Sequence, residues 1–568
     1  MKITTARKIS QVFFFTLFIW LCIVTTVGTE VWQLRGWPVN IFLHLDPLVA
    51  IATVISTHKL FAPLLWACLT IVLTILIGRF FCGWLCPFGA FHQFISFLSF
   101  RNRKNADLIA AHKYRKAQNI KYYILIIFLL MAALPGMANL QSGLLDPIPL
   151  FTRSVNLLLL PIAQTSLNLT ERFYRTALPI LAVFMIFTAL NFLVPRFFCL
   201  FICPLGALFG ILNRFAIFRI NRNSKCTDCK MCNKNCTGNC QPSETIKQSE
   251  CLMCMNCLDD CKFDAIDYST VSSKNMQISP DISRRGFLAA SFTGLMAVPA
   301  LKLAKTEADS TSIIRPPGAL PEKEFIKRCI KCGQCMKLCP TNVIQPAGLD
   351  AGLTNLWTPT MNNRIGTSGC QLDCVACGFV CPTAAIRPLT LAEKLGKGKF
   401  AVDGPVKIGT AAFDRSKCLP WAHNTPCIVC QENCPVSPKA IYTKEVFVTV
   451  LSSSLDLFNS ITGSIKLKES VMIPDKFATG DYYCLYSNNG NPVRKKIISN
   501  TADEIVFSPD NPPASMYKLE NEIQIQVRLQ RPYVNSSKCI GCGICQHECP
   551  LTGKGAVIVS AYGQTREK

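Results

Sequence analysis

The chain has 568 residues, 32 of them cysteine, and a formal charge of +24. Its six histidines (His44, His58, His92, His112, His423 and His547) are too few for multi-haem ligation, and no C-x-x-C-H, Walker or strand-borne G-x-G-x-x-G motif occurs. Residues 1–223 hold 20 Lys and Arg against 5 Asp and Glu; a positive excess in the most apolar part of a chain marks membrane loops and excludes nucleic acid as the partner.

Ile9–Gly28, Leu60–Ile77, Tyr122–Ala138 and Leu178–Val194 are apolar runs near the roughly 20 residues of one bilayer crossing. Two shorter stretches, Ile41–Ile55 and Val155–Ile162, read as interfacial or re-entrant pieces. The N-terminus, the 79–121 loop and the segment after 195 together carry 15 Lys and Arg. The opposite side carries five: Arg35, Lys59, Arg153, Arg172 and Arg175. The positive-inside rule places the N-terminus in the cytoplasm.

This half contains a repeat. Arg79–Ala90 (RFFCGWLCPFGA) matches Arg196–Ala207 (RFFCLFICPLGA) at an offset of 117 residues. Leu45-Asp46-Pro47 is echoed by Leu145-Asp146-Pro147. Both copies run the same way, so a pseudo-two-fold axis along the membrane normal is expected. The C-x-x-x-C spacing puts Cys82 with Cys86, and Cys199 with Cys203, on one helical face. These cysteines are either small buried apolar residues or a thiolate site for a soft metal or thiol redox chemistry.

After residue 222 the chain becomes a cysteine array. Cys226, Cys229, Cys232 and Cys236 precede Cys251, Cys254, Cys257 and Cys261. This is the bacterial two-cluster ferredoxin run, in which the fourth cysteine of each motif ligates the other [4Fe-4S] cluster. No proline follows Cys236 or Cys261, and Cys240 is a rival for the Cys236 position. Four further motifs succeed these: Cys329, Cys332, Cys335, Cys339; Cys370, Cys374, Cys377, Cys381; Cys418, Cys427, Cys430, Cys434; and Cys539, Cys542, Cys545, Cys549. Cross-ligation predicts 329, 332, 335 with 381, and 370, 374, 377 with 339. It likewise predicts 418, 427, 430 with 549, and 539, 542, 545 with 434. Six clusters account for 24 cysteines. Zinc is the alternative for paired C-x-x-C units, but three close cysteines plus Cys-Pro in tandem favour clusters.

Between the first ferredoxin pair and the rest lies Ser283-Arg284-Arg285-Gly286-Phe287-Leu288 and an apolar run, the form of a twin-arginine export signal. An ordinary fifth span is the alternative; both readings put residues beyond about 305 outside the cytoplasm. Val298-Pro299-Ala300 is a partial cleavage signal, and Arg315–Pro321 reads as a stiff linker. Residues 446–533 alternate with period two and read as a small β-sandwich insert with no chemistry of its own.

The expected architecture is multidomain: an α-helical membrane domain, three two-cluster ferredoxin-like (α+β) modules and a small β-rich insert. The boundaries are 1–222 for four spans, 223–270 for a cytoplasmic ferredoxin and 280–305 for the signal or fifth span. They continue with 320–395 for the first exported ferredoxin, 400–445 with 534–568 for the second, and 446–533 for the insert.

On these motifs, residues 1–265 resemble the NapH-type membrane ferredoxins, which share the C-x-x-x-C-P repeat with NosR and the copper-reducing assembly factor CcoG. Residues 280–568 resemble the exported four-cluster ferredoxins NapG and MauM. The resemblance implies a quinol dehydrogenase in the cytoplasmic membrane that takes electrons from the quinol pool and passes them to an extracytoplasmic redox partner. Quinol oxidation needs a proton acceptor, for which Asp46, His44 and Asp146 are candidates; a helix cap is the plainer reading of Asp-Pro. Two other readings stay open. One is a copper reduction or maturation factor acting through Cys82, Cys86, Cys199 and Cys203. The other is electron transfer from a cytoplasmic donor to the outer side.

Overall fold

Ile3–Val24 is one unbroken helix of 22 residues, because no glycine or proline interrupts its apolar run. The computed structural model describes residues 2–25, 38–134, 140–166, 172–244, 246–270, 280, 282–303, 313–459, 463–468, 472–488, 491–507 and 519–567. The second apolar run opens with a 3-10 turn at Ala62–Trp66 and continues as helix Ala67–Ile77. It stops at Gly78, whose φ of +86° only glycine adopts without strain. The third and fourth runs form Ile120–Ala133 and Ala177–Ala189. By length and composition, Ile3–Val24 and the stretch Asn105–Ala133 suffice to cross a membrane; Ala62–Ile77 and Ala177–Phe192 are shorter apolar helices. The outward faces expose Val12, Phe13, Val72, Leu178 and Ile186. Arg284–Leu303 is a 20-residue helix that packs along Ile120–Ala133, with Gly294 against Ile127 and Leu130.

The two short stretches become capped turns and helices. Ile41–His44 is followed by Pro47–Thr57, and Leu140–Leu145 by Pro147–Ser154 and a π turn at Val155–Leu159. Proline at the first helical position suits both starts, since its missing N–H has no intrahelical partner there.

The chain divides into two compact units. The first comprises Met1–Thr367, Asp373–Val406 and Thr565–Lys568; the second Ser368–Leu372 and Lys407–Gln564. Within the first unit, Phe218–Arg222 pairs antiparallel with Ile266–Thr270. Ile220 of this strand is buried in one cluster with Cys232 and Ile266. Ile344–Pro346 pairs with Pro359–Met361 in the next module.

The Arg315–Pro321 segment is not a free linker. Arg315 is 1% exposed and donates to Glu322 Oε2 at 3.1 Å, Thr358 Oγ1 at 2.7 Å and Asn355 Oδ1 at 2.8 Å. Arg566 Nη1 also donates to Glu322 Oε2, at 2.8 Å. Burial pushes the Glu322 carboxyl up, but the Arg315 and Arg566 hydrogen bonds outweigh it and hold the group below the ordinary carboxylate value of 4.5. A depressed carboxylate contributes stability above its unfolded pKa and loses it as pH falls through the folded value. Glu322→Gln is therefore expected to cost about 1–2 kcal/mol at pH 7. Thermal unfolding of the two proteins should converge only below pH 4.5.

In the second unit, Thr410–Phe413 pairs with Val557–Ser560 in the third module. The insert is a closed antiparallel barrel and not a sandwich. Its order is Glu504–Phe507, Ser464–Leu467, Ile441–Asn459, Leu519–Val534, Tyr482–Asn488 and Asn491–Asn500, which returns to Glu504–Phe507. The cause is the length of two strands, Ile441–Asn459 and Leu519–Val534, each kinked by a register shift that lets it serve both sides of the barrel. Cys484 lies in the barrel core with Ile525 and Tyr486, where burial pushes its thiol up to about 12. Arg35, the Asn489-Gly490 turn, the Pro509–Pro513 turn and the side chains of Val298–Ala300 lie outside the described residues.

Candidate functional site

The four cysteine loops with standard spacing share one backbone device. Asp228 and Lys230, Met253 and Met255, Lys331 and Gly333, and Gly541 and Gly543 all have φ between +50° and +79°. In each loop these are the residue before the second cysteine and the residue after it. A non-glycine residue in this region costs about 1–2 kcal/mol, so five such residues at equivalent places mark loops held by the group they bind. In the Cys329 and Cys539 loops the cysteines line a cavity, whereas Cys229 of the first loop is exposed.

Three cavities are formed by these loops. One is lined by Cys329, Cys332, Cys335 and Cys381. Another is lined by Cys418, Cys427, Cys430 and Cys549, and a third by Cys539, Cys542, Cys545 and Cys434. Each set is three cysteines of one motif plus the last cysteine of its neighbour. Among the described residues, no three Cys, His, Asp or Glu side chains close on a single metal ion. Tetrahedral zinc at 2.3 Å would hold its sulfurs about 3.8 Å apart; a cluster, with its ligands on separate irons, holds them wider. The donor sets fit [4Fe-4S] clusters better than zinc.

Several of the motifs' last cysteines accept a backbone N–H a few residues on. Cys261, Cys381 and Cys549 accept backbone N–H groups from Ala265, Ile386 and Ala556 at 3.3–3.4 Å. Cys236 accepts the Cys240 N–H in the same way, at 3.3 Å. Hydrogen bonds to ligand sulfurs tune clusters, and Cys236 shares this feature with the other three. Cys240 Sγ lies 3.4 Å from Cys236 Sγ and is buried with it. Cys370 falls in the second compact unit, and Cys374 and Cys377 in the first.

In the helical half, Cys82, Cys86, Cys199 and Cys203 come within electrostatic range of one another. Cys86 and Cys203 cap the helices they precede, accepting from Gly89 N at 3.3 Å and Gly206 N at 3.2 Å. The repeats interlock through their arginines. Arg79 donates to Cys82 Sγ at 3.4 Å while its Nη2 lies against Gly206, where a Cβ would stand 2.5 Å away. Arg196 donates to Cys82 O at 3.0 Å while its Nη2 lies against Gly89, where a Cβ would stand 2.8 Å away. Each arginine thus reaches the other repeat's cysteine–proline turn, and only glycine leaves room for it.

Asp46 and Asp146 are both fully buried and lie within interaction range of each other. Asp46 also caps Pro47–Thr57, its Oδ1 accepting from Leu48 N at 2.9 Å and Val49 N at 3.4 Å. Asp46 Oδ2 and both Asp146 oxygens meet no N–H or O–H donor, so two buried carboxyls this near each other favour a proton on one of them. His44 is half-buried on the preceding turn.

The second module seats on this end of the helical half. Asn40 Nδ2 donates to Val380 O at 2.8 Å, Ser56 Oγ to Lys327 O at 3.1 Å, and Asn156 Nδ2 to Gln334 Oε1 at 3.1 Å. One apolar cluster joins Phe42, Leu48 and Ile148 to Ile330 and Cys332. Buried Arg153 donates to Gly143 O at 2.6 Å and Lys331 O at 3.2 Å, its guanidinium 4.4 Å from the Trp357 ring.

The first module seats on the opposite, cysteine–proline end, where Trp84 Nε1 donates to Met253 O at 2.8 Å and Arg79 Nη1 to Ser249 O at 3.3 Å. A buried network there is invisible to sequence reasoning: Glu250 takes the Lys121 ammonium and, at 2.8 Å, the Tyr122 hydroxyl. The available signal is a lysine heading an apolar helix and a glutamate abutting Cys251, but nothing links residues 129 apart in sequence.

The chain matches the 4Fe-4S binding domain family over residues 60–105 with 176–224, over 327–345 and over 530–551. It is 28% identical to MJ0750 of Methanocaldococcus jannaschii over 48% of this chain and 98% of that protein. It is 32% identical to the ferredoxin-type protein NapG of Escherichia coli over 28% of this chain and 67% of NapG. The methylamine utilization ferredoxin-type protein MauM of Methylophilus methylotrophus is 34% identical over 24% of this chain and 56% of its own length. No solved structure matches.

Proposed function

We propose, because this chain belongs to the ferredoxin-type iron–sulfur electron-transfer proteins that include NapG, that it is a membrane-bound quinol dehydrogenase. It takes electrons from quinol and delivers them to an extracytoplasmic redox protein. The N-terminus and first module face the cytoplasm, and the second and third modules lie outside, in keeping with the placement of basic residues. Six [4Fe-4S] clusters, when bound, supply one-electron acceptance and release.

The rest is done by the chain's own side chains. Oxidising a quinol to a quinone releases two protons and two electrons. The buried Asp46–Asp146 pair holds one proton between its carboxyls; it releases that proton to the aqueous side and takes one from the quinol hydroxyl in its place, and the second quinol proton follows by the same relay. Arg153 holds the Lys331 carbonyl, and with it the Cys329–Cys335 loop, against the same end of the helical half. The observation that carries this reading is the seating of Cys332 in one apolar cluster with Leu48 and Ile148, the residues beside the two aspartates.

Anaerobic protein in detergent, titrated with reduced quinol and followed by electron paramagnetic resonance, tests the reading. Rapid reduction of a sample holding about 24 irons, the cubane count for six clusters, is the expected result. An iron-replete sample that stays oxidised would point to a cytoplasmic donor. Stoichiometric copper in it would point to metal handling by Cys82, Cys86, Cys199 and Cys203.

A further inference from the structure

A cavity of about 510 Å³ opens where the start of Ile3–Val24, the end of helix Pro87–Phe100 and the first module meet. Six cations line it: Lys2, Arg7, Lys8, Arg101, Arg196 and Lys234. The acids there, Asp259 and Asp260, are taken by neutral donors. Thr4 Oγ1 donates to Asp259 Oδ2 at 2.5 Å and Asn235 Nδ2 to Asp260 Oδ2 at 2.9 Å. Among the described residues none of the six cations has a carboxylate partner.

Two of them are buried. Arg7 and Arg196 are each 1% exposed. Arg7 gives its two amino groups to Gln93 Oε1 at 3.3 Å and Asn256 Oδ1 at 3.1 Å, leaving Nε without an acceptor. Arg196 leaves Nε and Nη1 without one, and the buried Thr237 hydroxyl on the same wall is also unmatched. Buried guanidinium groups need anionic or hydrogen-bonding partners. Cys254 lies within electrostatic range of Arg7, and Cys199 and Cys86 within range of Arg196, whose Nη2 donates to Cys82 O; none of these fills Arg7 Nε or Arg196 Nε and Nη1.

We propose that this cavity binds a phosphate-bearing anion, the phosphodiester of an anionic phospholipid. The guanidinium forks of Arg7 and Arg196 match phosphate oxygens, and Thr237 can donate a third hydrogen bond. Phe97 and Phe100 line the same wall, Phe97 exposed, and give an acyl chain an apolar track. A basic pocket between helix ends at the cytoplasmic surface is the setting in which lipid headgroups bind. The site is separate from the Asp46–Asp146 end and stands whether or not quinol is the donor. Because Arg7 holds Asn256, between Cys254 and Cys257, an anion on Arg7 would lower the midpoint potential of the group those cysteines hold.

The test uses delipidated, full-length, cluster-replete protein in detergent. Dioleoylphosphatidylglycerol, dioleoylphosphatidylcholine and inorganic phosphate are added separately, and binding is read by native mass spectrometry. One tight equivalent of phosphatidylglycerol is expected, with little phosphatidylcholine bound. Arg7→Gln should weaken phosphatidylglycerol at least tenfold. Lys8→Gln/Arg101→Gln, which leaves the interior untouched, should weaken it several-fold. Retention of inorganic phosphate with the same Arg7 dependence, and no lipid, would uphold the anion site and assign it to a soluble phosphate. Equal binding of the two lipids, or unchanged phosphatidylglycerol binding in both variants, would overturn the proposal.

Discussion

Replacing Asp46 with asparagine is expected to slow quinol-driven reduction by about 100-fold or more, the scale of a positioned proton acceptor, with iron content unchanged. The choice of asparagine separates two roles. Asn is as good a helix cap as Asp, so the bonds to Leu48 N and Val49 N can persist in the variant. The capacity to share a proton with Asp146 is lost. Asp146→Asn should have a similar effect, because the two carboxyls act as one group, and the double variant should be little worse than either single one. Stopped-flow absorbance with excess quinol measures all three. Wild-type rates in both single variants would reduce the pair to helix caps and leave the quinol site elsewhere.

The second large effect concerns which cysteines share a cluster. In the second unit, Cys418, Cys427 and Cys430 share a cavity with Cys549, not with Cys434, the last cysteine of their own motif. Cys418→Ala combined with Cys549→Ala should therefore remove one cluster and leave about 20 irons, counting four per cubane. Cys418→Ala combined with Cys434→Ala should remove two clusters and leave about 16 irons. Ligation within each motif would give the opposite order. Iron analysis of anaerobically purified protein, with spin quantitation of the reduced samples, reads the difference directly.

The array of cluster motifs is legible because cluster chemistry is local. Three ligands must come from one short loop, so spacing alone reveals Cys329, Cys332 and Cys335 or Cys539, Cys542 and Cys545. Cys381, Cys434 and Cys549 line the cavities of the neighbouring motifs' cysteines, the arrangement that cross-ligation would use. The left-handed residues between these cysteines are not legible where they are not glycine. Lys331 and Met253 carry no sign of a positive φ, and only the closing of the loop around its cavity imposes one.

Period-two alternation marks 446–533 as strands but not how they close. Alternation shows that one face of each strand is buried, which is equally true of a sandwich and a barrel. Closure depends on two long strands bending at their register shifts, a property of pairing between residues some 70 positions apart. Arg315 shows the same limit in a loop. Arg-Pro-Pro-Gly reads as a spacer, whereas the folded chain buries the guanidinium between Glu322, Asn355 and Thr358.

The sequence by itself determined the cysteine motifs, the apolar helices and the duplication of Asp-Pro and C-x-x-x-C-P, since each is written in neighbouring residues. The tertiary structure alone decided that Asp46 meets Asp146, that Arg79 and Arg196 cross to the opposite repeat, and that Glu250 pairs with Lys121. It also decided that six cations surround one cavity. These are encounters of side chains a hundred or more residues apart in most cases, and local spacing carries no information about them. For Asp46 with Asp146, and for Arg79 and Arg196 against each other's glycines, the two copies of the repeat pack so that equivalent residues meet.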